Sequence, residues 1–227
     1  MEDNIKDFMK GIGKELSEAT SYAQMKRIMD GSGMEYLGSG SARIVYKLDD
    51  DNVVKVAKNQ FGLHQNAIET DFYIQQEYDD FLTKTKEFDD ENYRFTVSEY
   101  ASKLKSDKDF FTKLEEFHGV NKEDFKDFVN GIHKALMFND KKGYATVDRV
   151  LADNEDNELL HDMHRLCLET DILPGDFEKH SSWGIVNNSG EPKLAIKDYG
   201  LNKENFNLYV RKDNKSPKPS GPRGPYI

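Results

Sequence analysis

The sequence predicts an α+β fold in which a small antiparallel β lobe precedes a helical lobe. Two apolar runs, at 44–46 and 53–57, flank a polar turn, which is typical of an antiparallel hairpin. Apolar residues recur at helical spacing over 103–140 and again over 157–173. A second hairpin pattern, with its turn at 187–190, follows these helices.

Composition narrows the class of protein. A chain of 227 residues is long enough for one domain or one two-lobed unit with an adequate core. Its net charge of −10 argues against a nucleic-acid partner, which would need a basic face. The single cysteine, Cys167, lies on an apolar helical face, so we expect an inert core thiol and a reducing compartment. No apolar run approaches the ~20 residues of a membrane span and no signal-peptide core begins the chain, so we expect a cytoplasmic protein with no membrane partner.

Residues 1–32 are predicted to form an N-terminal helical extension. Apolar residues between Ile5 and Met29 follow broadly helical spacing, interrupted by Gly11 and Gly13. This pattern predicts one or two amphipathic helices that pack on the small lobe or bind a partner. Packing on the small lobe is the simpler of the two interpretations.

A glycine-rich turn precedes the first clear strand. Gly38, Ser39 and Gly40 lie between an apolar start and the strand that contains Val45. Glycines suit a turn over a phosphate group, because the main chain must come close to the oxygens and adopt angles that a Cβ would forbid. The same residues also fit an ordinary hairpin turn, so the turn indicates a nucleotide site only together with the residues that follow.

A lysine lies inside the apolar strand at 53–57. Alternation places Lys55 on the same face as Val53 and Ala57, where its ammonium group needs a partner. Lys58 is a second candidate for the same role, although it lies on the opposite face. We favour Lys55 because the preceding turn is short, and the alternative is a solvated lysine at a sheet edge.

The next helix supplies a partner for Lys55. The segment that starts at Gly62 reads as a helix, and Glu69 projects from its second turn. Glu69 is therefore the candidate for an ion pair with Lys55, and an ordinary surface glutamate is the alternative.

Two further carboxylates come late in the chain. Asp176 lies in a loop that follows a helical segment. A hairpin pattern over 183–197 then leads into the tripeptide DYG, which begins with Asp198. A helix, a loop carboxylate, a hairpin and a second carboxylate stand in the order in which protein kinases place two carboxylates on opposite sides of the transferred phosphate.

Together these segments resemble the protein-kinase-like fold, closest to the small, divergent kinase-like proteins of bacteria and their phages. The resemblance covers residues 34–201 and implies ATP and Mg²⁺ as cofactors. It implies that Lys55 grips the phosphates and that Glu69 orients Lys55. The strand at 93–101 resembles the one that leads into the kinase hinge, which makes main-chain groups of residues 99–101 available to adenine. The ATP-binding residues that the resemblance implies are Gly38, Ser39, Gly40, Val45, Lys55, Glu69, Glu99 and Ala101.

The resemblance also implies roles for later side chains. Asp176 would accept the substrate proton, and Asp198 would hold magnesium. The asparagine that binds metal in kinases appears here as Ser181 or Ser182, and Ser182 is the candidate for a weaker metal ligand. Arg43 stands where the third glycine of the kinase turn would be.

On this interpretation residues 33–102 form the kinase-like small lobe, and residues 103–212 form a truncated helical lobe that carries both carboxylates. Residues 213–227 contain four of the six prolines and predict an extended arm that binds its own body or a neighbouring subunit. Two functions follow. The chain is a minimal ATP-dependent phosphotransferase, or it is a catalytically faded kinase-like binding or structural protein, such as a component of a phage particle. A phage protein would occupy the host cytoplasm or the virion.

Overall fold

The structure, a computed structural model, describes residues 2–187 and 191–203. The described chain combines helices with two antiparallel sheets, which agrees with the predicted α+β class. The arm predicted for 213–227 lies outside the described residues, as does most of the turn predicted at 187–190.

Polar residues at the helix starts explain where many of the helices begin. Oδ1 of Asn59, for example, accepts hydrogen bonds from the N–H groups of Phe61 and Gly62 at 3.0 and 3.3 Å. A π-helical turn, Met9–Gly13, joins the first two helices, so the glycines there do not end the helical segment. The α-helices are, in chain order, α1 (Glu2–Phe8), α2 (Lys14–Glu18), α3 (Tyr22–Gly31), α4 (Gln60–Glu69), α5 (Phe72–Glu77), α6 (Asp107–His118), α7 (Lys122–Phe138), α8 (Lys141–Asp153) and α9 (Glu158–Thr170).

The strands form a larger sheet and a smaller one. The larger sheet has the order β1-β2-β3-β5-β4, and the smaller sheet has the order β6-β7-β8. Neighbouring strands in both sheets are antiparallel. The strands are β1 (Glu35–Ser39), β2 (Arg43–Lys47), β3 (Asn52–Ala57), β4 (Thr85–Phe88), β5 (Phe95–Glu99), β6 (Ala101–Lys103), β7 (Trp183–Val186) and β8 (Lys193–Ile196).

The N-terminal helices cover one face of the larger sheet, which we call the outer face. Val54 and Val56 of β3 lie there in one hydrophobic core with Phe8, Leu16 and Met29 of the helical segment. The N-terminal region is therefore helical and packs on the small lobe. The opposite face, which we call the inner face, stays free of these helices.

The smaller sheet rests on the helical lobe. Trp183 and Leu194 belong to the main hydrophobic core, which also contains the buried residues of α6, α7 and α9. The alternate residues Ala101, Val186 and Ala195 form a separate small cluster on the other side of this sheet. We call that side the floor face.

Two predicted boundaries differ from the structure. We expected two hairpin strands in the helical lobe, but Ala101 lies opposite Val186 and adds β6 as a third strand. The proposed lobe boundary after residue 102 therefore cuts through β6. Glu69 is the last residue of α4 rather than a second-turn residue, because Asp71 caps the new helix α5. Within the described ranges, no helix has both the length and the apolar character needed to cross a membrane.

Candidate functional site

Lys55 lies on the inner face of β3 and is almost completely buried. Its Nζ donates to Oε2 of Glu69 at 2.6 Å and to the main-chain oxygen of Lys197 at 2.8 Å. The predicted ion pair between Lys55 and Glu69 is therefore confirmed. Lys58, the second candidate, lies outside this network, because its Nζ donates to Oγ of Ser39 at 3.0 Å.

Two glycines allow α4 to bring Glu69 to this position. A Cβ on Gly62 would lie 2.9 Å from Cα of Ala57, and a Cβ on Gly200 would lie 2.7 Å from Cα of Gln65. Both distances are too short for real side chains, so each contact requires glycine. The glycine of the DYG tripeptide is thus needed for close packing against α4. The Glu69 side chain, at the end of α4, is fully buried.

Arg43 completes the buried network. Its Nη2 donates to Oε1 of Glu69 at 2.7 Å and to Oδ1 of Asp198 at 2.5 Å. Its Nη1 donates to Oδ1 of Asn66 at 3.3 Å. One guanidinium group therefore joins the hairpin β1-β2, helix α4 and the DYG segment.

From the sequence, Arg43 is only a departure from a glycine pattern, and its role in the site is not predicted. A signal was nevertheless present in the hairpin. Arg43 lies opposite Ala57, and Val45 lies opposite Lys55. The alternation that turns Lys55 inward therefore turns Arg43 inward as well.

The charges of the network stabilise one another. Burial alone would raise the pKa of Glu69, but Arg43 and Lys55 outweigh this effect and lower that pKa to about 2. Burial lowers the pKa of Lys55, and attraction to Glu69 opposes this shift. Burial also opposes the charge on Arg43, but its two carboxylate partners raise the pKa of the guanidinium. Glu69 and Arg43 are thus held in their charged forms.

The inner face and the floor face lie across from each other, and we call the space between them the cleft. Two hydrogen bonds span it: Lys55 Nζ to the Lys197 oxygen at 2.8 Å, and Lys103 Nζ to the Leu37 oxygen at 3.1 Å. Apolar residues line both sides, namely Val45 and Val53 on the inner face and Ala101, Val186 and Ala195 on the floor face.

The lining of the cleft is mostly buried. Val53, Ala101 and Val186 are each less than a tenth exposed, so little of the lining is open to solvent. Two depressions of the described surface lie elsewhere. One of about 340 Å³ is lined by 32–35 and 47–50, and one of about 260 Å³ is lined by residues of α6 and Lys122.

Lysines surround the DYG end of the cleft. Lys197 precedes Asp198 directly and is partly buried. Burial, together with the positive charges of Lys103 and Lys55, lowers the pKa of Lys197 to about 8. Its Nζ forms no hydrogen bond or ion pair with the described residues, and attraction to the Asp198 carboxylate only partly opposes the fall in its pKa.

Asp198 lies at the edge of the cleft with its side chain about half exposed (51%). Ser182 lies beside the preceding residue, because the Lys197 N–H donates to the Ser182 main-chain oxygen at 2.8 Å. In the part of the chain that the structure describes, no group of three or more His, Cys, Asp or Glu side chains is arranged to hold a metal ion. A magnesium ion at Asp198 would lie beside the permanently charged guanidinium of Arg43, which already neutralises this carboxylate. The residues present do not fit a resident magnesium ion.

Asp176 lies apart from the buried network. It ends a 3₁₀ turn, Pro174–Asp176, and its carboxylate pairs with Lys179 at 2.5 Å. The N–H of Leu173 donates to the main-chain oxygen of Leu201 at 2.8 Å. This bond places the loop that carries Asp176 beside the segment that follows Asp198.

The glycine-rich turn differs from the prediction in its backbone. Gly38 lies in β1 opposite Val45, and the Gly40 N–H donates to the Arg43 oxygen at 2.9 Å. Neither glycine has a positive φ, and a Cβ on either would meet open space. The prediction that these positions need angles forbidden to other residues is wrong, because the connection over 40–42 turns with ordinary backbone angles. Ser39 and Gly40 are exposed, so the main chain there is accessible.

The main chain at 99–101 is less available than predicted. The Glu99 N–H donates to the Lys84 oxygen at 2.9 Å, and the Tyr100 N–H donates to the Asp51 oxygen at 2.8 Å. The prediction that these groups are free for a base is therefore wrong for these two amides. The Glu99 carboxylate accepts from the Lys84 N–H at 3.0 Å, so it also has a partner within the protein. Ala101 contributes its methyl group to the floor face.

Comparison with known proteins adds no family. A scan against protein-family models finds no match to the chain, and a search of curated proteins finds no relative.

The cleft combines apolar walls with a set of inward-facing cations. Such a cleft suits a ligand that has a flat apolar part and an anionic part.

Proposed function

We propose that the chain is a kinase-like protein that binds ATP in the cleft and transfers its terminal phosphate. The observation that carries this proposal is the buried ion pair between Lys55 and Glu69, in which Lys55 also bonds to the residue before Asp198. In the kinase resemblance Lys55, Glu69 and Asp198 belong to the nucleotide site.

The energetics of the network support a ligand site. Replacing a buried ion pair by well-packed apolar residues is often neutral or stabilising, so folding alone does not require Arg43, Lys55 and Glu69 to be charged. Perturbed charged groups in a cleft are common at functional sites. The protein as a whole carries a net charge of −10, yet cations predominate around this cleft. A negatively charged ligand accounts for that local excess.

The shape of the cleft supports a nucleotide among anionic ligands. The small residues Ala101 and Ala195 leave a flat floor, and Val45 and Val53 provide the opposite wall. An adenine ring fits between such surfaces, and the phosphates then extend toward Lys55. Because the lining is buried, binding requires the two lobes to move apart. A cytoplasmic setting, where ATP is available, fits this proposal.

The chemical step uses groups of the chain. An acceptor hydroxyl attacks the γ-phosphorus, the bond to the bridging oxygen breaks, and ADP leaves with that electron pair. In our proposal Asp176 takes the proton of the hydroxyl, and Lys55 offsets the charge that develops on the phosphate oxygens. Asp176 must exchange its bond with Lys179 for one with the acceptor before it can act.

A second function has its own support. The carboxylate of Asp198 is bonded to Arg43, so the residue that the resemblance assigns to metal binding is already neutralised. A kinase-like protein that binds nucleotide, or only a protein partner, without phosphoryl transfer would have this arrangement. This is the catalytically faded alternative.

Titration with ATP, followed by thermal unfolding and by release of labelled phosphate, tests both functions. At about a hundred times its dissociation constant, ATP should stabilise the folded protein by roughly 2.7 kcal/mol. Lys55→Met should remove most of that gain, whereas Lys113→Met, which changes an exposed lysine of α6, should keep it.

Three outcomes separate the alternatives. Stabilisation with phosphate release supports the phosphotransferase, and stabilisation without release supports the faded nucleotide-binding protein. An unchanged melting temperature across millimolar ATP, with wild type and Lys55→Met indistinguishable, would leave only a role in protein binding or structure.

A further inference from the structure

Two lysines on the floor face have no role in the site described so far. Lys103 of β6 lies opposite Gly184, and Gly184 lies opposite Ala195. Residues paired in this way project from the same face of a sheet, and Lys197 lies two residues beyond Ala195. Lys103 and Lys197 therefore project from the face that carries the apolar floor of the cleft.

Both lysines reach the region where Lys55 enters the cleft. Nζ of Lys103 bonds to the main-chain oxygen of Leu37, directly before the glycine-rich turn. The main-chain oxygen of Lys197 accepts from Nζ of Lys55. These two bonds place Lys55, Lys103 and Lys197 around the same end of the cleft, and we call them the lysine cluster. The positive charges of Lys103 and Lys55 both act on Lys197.

The carboxylates of the site neutralise this cluster only in part. Glu69 accepts from both Arg43 and Lys55, and Asp198 accepts from Arg43. Arg43 and the three lysines are four cations beside these two carboxylates, which leaves an excess of two positive charges. A local excess of positive charge favours the binding of an anionic ligand that carries several negative charges.

We propose that Lys103 and Lys197 bind the phosphate chain of the nucleotide, and that with Lys55 they supply the positive charge that a divalent metal supplies in other phosphate sites. The inference rests on the proposed function, because it assumes that the phosphates lie beside Lys55. The replacement of a metal by lysines follows from the bond between Arg43 and Asp198. This bond neutralises the carboxylate that would otherwise attract a metal ion. The ligand class is a polyphosphate ester whose binding needs no metal.

Inorganic triphosphate tests the phosphate site without the base. Binding to the full chain is measured by isothermal titration calorimetry with EDTA at constant ionic strength. We expect wild type to bind, and Lys103→Gln and Lys197→Gln each to weaken binding about tenfold or more, since each removes a charge-assisted hydrogen bond. Lys113→Gln, which removes an exposed lysine elsewhere, should leave the affinity unchanged.

A charge-conserving variant tests whether the loss of affinity comes from the lost charge rather than from a change in folding. Lys197→Arg should restore most of the affinity lost in Lys197→Gln, while circular dichroism shows the same fold for both. Loss of affinity in Lys197→Arg as severe as in Lys197→Gln would overturn the role of charge at this position.

The outcomes distinguish this inference from the proposed function. Triphosphate binding without ATP preference would support the phosphate site and refute the adenine part of the proposed function. ATP binding that is unaffected by Lys103→Gln and Lys197→Gln would overturn the inference and leave the proposed function intact. Binding of triphosphate only after magnesium is added would overturn metal independence, and no binding of either ligand would overturn both proposals.

Discussion

Replacing Glu69 by glutamine should destabilise the protein strongly, although the two side chains have nearly the same volume. Glu69 is fully buried and bonds to Arg43 at 2.7 Å and to Lys55 at 2.6 Å. Glutamine would leave Lys55 in the interior without a bonded carboxylate and Arg43 with Asp198 alone. Breaking a buried ion pair by removing one partner typically costs about 3–5 kcal/mol.

The lowered pKa of Glu69 gives a second way to calculate the stability that Glu69 contributes. Lowering this pKa from its ordinary 4.5 to about 2 corresponds to about 3 kcal/mol of stability at neutral pH, at about 1.4 kcal/mol for each pH unit. For a folded-state pKa below the unfolded one, the contribution is complete above pH 4.5 and is lost as the pH falls through 2. A loss of about 3 kcal/mol should lower the melting temperature by about 6–12 °C in a chain of this size.

Urea denaturation of wild type and Glu69→Gln between pH 7 and pH 2 measures both effects. The matched control is Glu116→Gln, which breaks the exposed pair with Lys113 and should cost no more than about 1 kcal/mol. The difference between wild type and Glu69→Gln should shrink as the pH falls from 4.5 to 2. Two results would refute a stabilising role for the buried Glu69 charge. One is equal stability of Glu69→Gln and Glu116→Gln at pH 7, and the other is a difference between wild type and Glu69→Gln that does not depend on pH.

Three further predictions concern packing and reactivity. Gly200→Ala should lower the urea midpoint because its Cβ would strike α4, whereas Gly40→Ala, whose Cβ meets open space, should not. Lys55→Met should cost at least about 1 kcal/mol in the same assay, while Lys58→Met should lie within error of wild type, since Lys58 is bonded only at the surface. Burial raises the pKa of the Cys167 thiol, so it should react with a thiol reagent only under unfolding conditions, and rapid native labelling would contradict its position in the core.

Local patterns were sufficient to predict the inner face of the larger sheet. Strand alternation placed Lys55 inward, and the helix that follows supplied Glu69, which is only 14 residues away in sequence. Short-range patterns of this kind determine which face of an element a residue occupies. The same reasoning would have turned Arg43 inward had it been applied to the neighbouring strand.

Local patterns do not predict which residue an inward-facing side chain contacts. Arg43 and Asp198 are 155 residues apart, and nothing in the sequence near either one indicates the other. β6 has only three residues, too few for a periodic pattern, so its pairing with β7 also depends on tertiary structure. The availability of the main chain at 99–101 could not be predicted either, since it depends on how the segments that contain Lys84 and Asp51 lie against it in the folded protein.

The bond between Arg43 and Asp198 also makes the two lobes interdependent in folding. Arg43 belongs to the first hairpin, and Asp198 follows the last strand, so the guanidinium obtains both its carboxylates only when nearly the whole described chain is in place. Unfolding the helical lobe alone would leave a buried arginine with half its counter-charge, which opposes any partly folded state. The charge network therefore favours cooperative, all-or-none unfolding of the two lobes.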